Sequence, residues 1–186
     1  MAILDWIYPK KCLGCGVWGS YICLSCQRSI KRRGDGLRYE GVIRQAIKEI
    51  KYRGTYDLVA ELVSIWNPQK PSGEILVTAV PMWAGKERKR GYNQAELIAR
   101  CVARRWSKPY AELLTRVRET RPMYGLSKVE RKENVWRAFR VNNQKPQIGK
   151  VILIDDVWTS GATMRECTTE LKKAGWGVVE GMALAS

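Results

Sequence analysis

Two adjacent carboxylates, Asp155 and Asp156, are followed after Val157 by a small, hydroxyl-rich turn of Thr159, Ser160, Gly161, Ala162 and Thr163. Backbone N–H groups and hydroxyls at the start of a helix bind anions. Two carboxylates beside such a cradle would repel a phosphate unless they grip hydroxyls or a metal. A ligand carrying both a phosphate and sugar hydroxyls meets both demands. A second chemical group is Cys12-Leu-Gly-Cys15 followed, after seven residues, by Cys23-Leu-Ser-Cys26. Two CxxC pairs so close together can place four thiolates around one tetrahedral Zn²⁺. An iron–sulfur centre or a redox pair could use the same spacing. A third group, Lys86, Arg88, Lys89 and Arg90 with Asn93 just beyond, could hold a diphosphate through charge-assisted hydrogen bonds.

Composition narrows the choices further. The chain has no histidine, which excludes Ser-His-Asp and Cys-His nucleophilic catalysis and every His-ligated metal site. Any catalysis would rest on carboxylates, Lys, Arg, a metal ion or positioning. A net charge of +15 points to an anionic partner: nucleic acid, acidic protein or a phosphorylated ligand. Eight Trp and eight Tyr stand against one Phe. Aromatics interleaved with Lys and Arg can stack on unpaired bases, although most aromatics pack in cores. The candidate nucleic-acid contacts are Lys31, Arg32, Arg33, Lys51, Arg53 and Lys89, with Arg88 and Arg90 beside them.

These groups need elements to position them. The aliphatic run at 151 to 154 predicts a central parallel strand covered on both faces, with the acidic pair at its carboxyl end. Met164, Cys167, Leu171 and Ala174 predict one face of the helix after it, ended by Gly175. Ile43, Ala46, Ile47 and Ile50 predict a helix, and so do Leu58, Leu62, Val63 and Trp66. Residues 75 to 80 and 178 to 184 read as strands. Ala95, Ile98, Ala99, Val102 and Trp106 outline a further helix, after a basic loop at 86 to 90. Strands alternating with helices imply an α/β fold with a parallel sheet flanked by helices. Lys31 to Arg33 and a Gly-Asp-Gly linker suggest a boundary between a cysteine mini-domain at 1–33 and an α/β domain at 37–186. Metal binding would supply the folding energy of the small unit. No apolar run reaches membrane-spanning length, and Asp5 interrupts the first apolar segment. A cytoplasmic protein is expected.

The stretch VILIDDVWTSGAT resembles the phosphoribosyl diphosphate (PRPP) signature of type I phosphoribosyltransferases, with Ser160 where Thr is commoner. RGYNQAELIAR, the four cysteines and this loop together resemble the ComF-type competence proteins. Arg116, Arg118, Thr120, Gly125, Leu126, Ser127, Arg131, Asn134 and Phe139 match that family's basic, mobile segment, here at about 115–140. The departures are Met123, where the family often has Gln, and Ala183-Leu184-Ala185-Ser186, where an Arg would stand and whose loss would loosen a contact near the sheet edge. The resemblance implies a type I phosphoribosyltransferase-like fold behind a zinc knuckle. It implies that Asp155 and Asp156 meet the ribose hydroxyls, with Mg²⁺ accompanying PRPP, and that 157 and 159 to 163 hold the 5′-phosphate. The first reading is a role in natural transformation: single-stranded DNA bound at the inner face of the membrane, alongside DNA-uptake proteins, with the PRPP-type pocket retained. The alternative is an active phosphoribosyltransferase with Lys86, Arg88 and Arg90 on the leaving diphosphate and the 116–134 segment as a lid. The composition suits the first.

Overall fold

The computed structural model describes residues 9–121, 125–142 and 149–186. Asp5 and Met123 lie outside the described residues. A short helix α1 (Leu24–Arg28) carries Cys26, the last of the four N-terminal cysteines. The expected linker is instead a hairpin, in which β1 (Arg32–Arg33) and β2 (Gly36–Leu37) pair antiparallel around Gly34 and Asp35. Next come α2 (Gly41–Arg53) and α3 (Leu58–Trp66), which bury the apolar residues that their spacing predicts. Beyond them run β3 (Ile75–Ala79), α4 (Ala84–Arg90), α5 (Gln94–Trp106) and β4 (Leu114–Arg116). The chain continues through α6 (Lys128–Val135), β5 (Phe139–Val141), β6 (Lys150–Val157), α7 (Ala162–Lys173) and β7 (Val178–Ala185).

Five strands form one sheet in the order β1-β2-β7-β6-β3, parallel throughout except for the β1–β2 hairpin at its edge. The fold is therefore α/β with a mostly parallel sheet. Side chains alternate along β6, as strand geometry requires. Ile152 and Ile154 join a core with α2, α3 and α5, whereas Val151 and Leu153 join a second core with α7, β4 and β5. Both faces are thus covered, and the aliphatic run needs no polar position until the strand ends.

The cysteine segment docks on the first of these cores. Ile22 is wholly buried in it, and the Glu61 carboxylate of α3 accepts the Tyr21 and Ile22 N–H groups at 3.3 and 2.6 Å. Arg32 donates to the Ile65 and Trp66 carbonyls, both at 3.0 Å, and so closes the end of α3. At the sheet edge Ser186 N–H donates to Leu37 O and Tyr39 N–H to Ser186 O, each at 2.9 Å. Backbone bonds hold this edge where the sequence suggested a loosened contact.

The basic segment near 115–140 contains the antiparallel pair β4–β5 and the helix α6. Ser127 and Glu130 cap α6 reciprocally, which satisfies two otherwise unpaired N–H groups. Arg118 donates to the Asn134 and Trp136 carbonyls at 3.1 and 2.6 Å. Ala174 is an exposed cap residue after α7 and not part of its buried face.

Candidate functional site

A cavity of about 840 Å³ opens beyond the carboxyl ends of β3 and β6. Its wall includes Lys51 and Tyr52 from the end of α2, Trp83, Lys86, Lys89 and Arg90 around α4, Arg116 from β4, and Thr163 from the first turn of α7. Thr163 also lines the hydroxyl-rich turn, so the two spaces meet there. The residues expected as a basic loop form a helix. Lys86, Lys89 and Arg90, three and four positions apart, share the face that lines the cavity. Arg88 is exposed and does not line it.

The turn after β6 is tightly tied. Trp158 N–H donates to Ala185 O at 2.8 Å, and Arg165 donates to Ser160 O at 2.8 Å. Gly161 sits at φ 72°, and a Cβ there would lie 2.7 Å from the Arg165 guanidinium and 2.8 Å from Trp158 Nε1. Only glycine suits both demands. Asp155, Val157, Thr159, Ser160, Gly161, Ala162 and Thr163 all line this space, which measures about 20 Å³. That is room for about one water.

The acidic pair continues the alternation of β6, and its two carboxylates meet different surroundings. Asp156 is buried, and its Oδ2 lies 2.5 Å from Lys51 Nζ, an ion pair without the alignment of a hydrogen bond. Lys51 occupies the last turn of α2, where the helix dipole also favours a cation. The Asp155 carboxylate accepts the Asp156 N–H at 2.8 Å and lies within the field of Arg116. Asp155 keeps an edge in the cradle while protein crowds its carboxyl. Burial, then the neighbouring Asp156 charge, push it up to about 8. On the other wall, burial and then the charges of Arg90, Arg116 and Lys51 lower the proton affinity of Lys86.

This arrangement predicts a pH signature. The folded protein keeps the Asp155 proton up to about pH 8, whereas an unfolded chain releases it near pH 4. Between those values the native state binds the extra proton, so this group makes stability fall as pH rises. In urea melts at about pH 5 and pH 8, Asp155→Asn should lose less stability across the interval than wild type. Equal losses in both proteins would contradict the assignment.

The four knuckle thiols have their Sγ atoms all within 4.8 Å of one another, with Cys15 and Cys23 at 3.5 Å. A tetrahedral ion with metal–sulfur bonds near 2.3 Å needs sulfur separations of about 3.8 Å, so the cluster can bind a metal. A Cβ on Gly14 would come 2.6 Å from Cys26 Sγ, which explains the glycine. Burial opposes ionisation of Cys12, but N–H groups of Cys15, Cys23 and Gly14 outweigh it and bring the thiol down to about 6. Cys26, hydrogen-bonded to Cys12, is pushed up to about 12. A cation among them removes that conflict.

No family profile matches the chain. The DNA utilization protein YhgH of Escherichia coli is 26% identical over 188 residues, covering 91% of this chain and 81% of its own. Competence protein ComFC of Bacillus subtilis is 26% identical over 172 residues, or 88% of this chain and 68% of its own. Competence protein F of Haemophilus influenzae is 32% identical over 111 residues, 55% of this chain and 48% of its own. Over most of its length the chain is thus similar to proteins named for DNA utilization and competence.

Among solved structures, an allosteric regulatory enzyme of purine biosynthesis matches at TM-score 0.44 and 18% identity, over 77% of this chain and 26% of its own. The adenine phosphoribosyltransferase of Thermoanaerobacter pseudethanolicus matches at 0.43 and 12%, over 78% and 87%. The chain thus spans about a quarter of the first enzyme.

Some expected contacts are otherwise employed in this chain. Asn93, expected with the diphosphate group, is buried. Its Nδ2 donates to Val80 O at 3.0 Å and its Oδ1 caps α5 by accepting from Ala95 N–H at 3.1 Å. Both ends of its amide are spent on backbone. Lys51, grouped with nucleic-acid contacts, is instead bound to Asp156. Arg32 closes α3, and Arg53 pairs with Glu49 at 3.0 Å. Lys31, Arg33 and Lys89 stay exposed. Sequence reasoning missed Arg165, four positions after the Gly161 it shields, and Tyr52 and Trp83 on the cavity wall. Tyr52 carried a signal, lying directly between two basic residues. Among the described residues no helix is long and apolar enough to cross a membrane.

Proposed function

We propose that this chain is a DNA-handling protein of the ComF type that binds single-stranded DNA over the mouth of the 840 Å³ cavity and a PRPP-type ligand within it. One observation carries the reading: six cationic residues and two aromatics line a single cavity that contains one acid, Glu119, and shares Thr163 with the phosphate turn. Tyr52 is 75% exposed, and Arg90 lies 5.8 Å from its ring centre, so base stacking and phosphate pairing fall side by side. Lys89 meets the strand, and Arg90, beside it on the cavity wall, serves the strand and the smaller ligand in turn. Lys51, Lys86 and Arg116 lie beside the acidic pair and meet the smaller ligand. Asp155 and Asp156 accept the ribose hydroxyls, and 157 and 159 to 163 receive the 5′-phosphate. The names of the relatives, competence and DNA utilization proteins, support a place in DNA uptake. The protein then works in the cytoplasm, at the inner face of the membrane, through DNA-uptake partners. The knuckle metal is Zn²⁺, whose four-thiolate preference the cluster matches.

The test is binding of a fluorescent single-stranded oligonucleotide across a salt series. About four neutralised phosphates give a slope of log K against log salt near −3, and Lys89→Ala should make it shallower by about 0.7. Affinity indifferent to salt would overturn the DNA reading. Release of diphosphate from PRPP would move the assignment to the transferase.

A further inference from the structure

The acidic pair is already occupied by this chain's own cation. Lys51 Nζ lies 2.5 Å from Asp156 Oδ2, and the Asp155 carboxylate accepts the Asp156 N–H at 2.8 Å. Both carboxylates therefore have partners before any ligand arrives. The surroundings are also hostile to a further cation, because Lys86, Lys89, Arg90, Arg116 and Arg121 line the same cavity as Lys51. Among the described residues neither Lys86 nor Lys89 has an ion-pair partner of its own. A divalent ion placed here would have to displace a partly buried ammonium and enter a field of like charge. The residues present do not fit the Mg²⁺ that the phosphoribosyltransferase resemblance implies.

We propose that the pocket takes its phosphorylated sugar ligand without a divalent cation, the Lys51 ammonium holding Asp156 and meeting the ligand's oxygens in the ion's stead. This rests on the PRPP-type reading of the pocket and deepens it. The chemistry is sufficient on its own. An ammonium offers three donors, so its charge can stay beside Asp156 while a donor reaches the ligand. Lys86, Arg90 and Arg116 supply the remaining charge that a diphosphate requires. Lys51 is a positioning residue for Asp156 and a binding residue for the ligand.

The experiment is calorimetric titration of PRPP into the zinc-loaded full chain, with Mg²⁺ and in buffer freed of divalent ions over a chelating resin. A dissolved chelator is avoided because it would strip the knuckle. Wild type should bind in both buffers with affinities within about threefold, a coupling of well under 1 kcal/mol. Lys51→Met should bind at least tenfold more weakly in the Mg²⁺-free buffer and recover in part when Mg²⁺ is restored. Lys51→Arg, which keeps the charge, should retain metal-free binding. Wild-type binding that appears only with Mg²⁺ overturns the proposal and leaves the PRPP-type pocket standing. No binding in either buffer overturns both. Because the wild-type pair of titrations decides alone, a Lys51→Met chain that fails to fold does not rescue the idea.

Discussion

Cys12→Ser should cost the protein its metal and much of its fold together. Cys12 is the buried member of the cluster, and its sulfur accepts the Cys23 N–H at 3.4 Å. Structural Zn²⁺ contributes roughly 10–16 kcal/mol of apparent folding energy in small knuckles, against a typical whole-domain stability of about 5–15 kcal/mol. The loss cannot stay local. Ile22 is wholly buried among the side chains of α2 and α3, and Glu61 satisfies the Tyr21 and Ile22 N–H groups. Opening the knuckle uncovers that core and leaves a partly buried carboxylate without its donors. Metal analysis should fall from about one ion per chain to near zero, and the melting temperature should drop by about 10 °C or more. A metal-free Cys12→Ser chain that melts like wild type would contradict the account.

Lys86→Ala with Arg90→Ala should weaken PRPP binding by about a hundredfold. Both side chains line the cavity from one face of α4. A hydrogen bond to a charged group contributes about 1.5–3 kcal/mol, and partial exposure of Lys86 and the bond from Arg90 to Gln94 argue for the lower end. Two such losses give a factor of about a hundred. Arg88→Ala, on the far face of the same helix, should change affinity by less than about twofold and serves as the internal control. Equal effects from Arg88 and from the pair would show that only net charge matters and that the cavity is not the site.

The parts of the molecule legible in the sequence are those whose signal is local and periodic. Four aliphatic residues in a row gave β6 its buried place, and i, i+3, i+4 spacing gave the buried faces of α2, α3 and α5. The cysteine spacing foretold their convergence. What escaped was set by distance or brevity. Lys51 reads locally as one more basic residue in Lys51-Tyr-Arg, and only the packing of α2 over the end of β6 brings it to Asp156. The strands β1 and β2 have two residues each, too few to show a period, so Gly34 and Asp35 looked like a linker. Charge masked α4, whose seven residues include five ionisable ones and no apolar stripe. The capping role of Asn93 had a readable cue, since an Asn just before an apolar helical repeat is an N-cap. The Ser127-x-x-Glu130 capping box carried the same kind of cue inside the segment expected to be mobile.

On the proposed reading, the single strand and the sugar phosphate share one site. That reading is tested most directly by titrating PRPP into zinc-loaded protein carrying a fluorescent single-stranded oligonucleotide, with wild type and with Asp155→Asn/Asp156→Asn. PRPP should displace the oligonucleotide from wild type and fail to do so from the double variant, which should still bind DNA through Lys89, Arg90 and Tyr52. Oligonucleotide that stays bound at PRPP concentrations that saturate the wild-type pocket would contradict that reading.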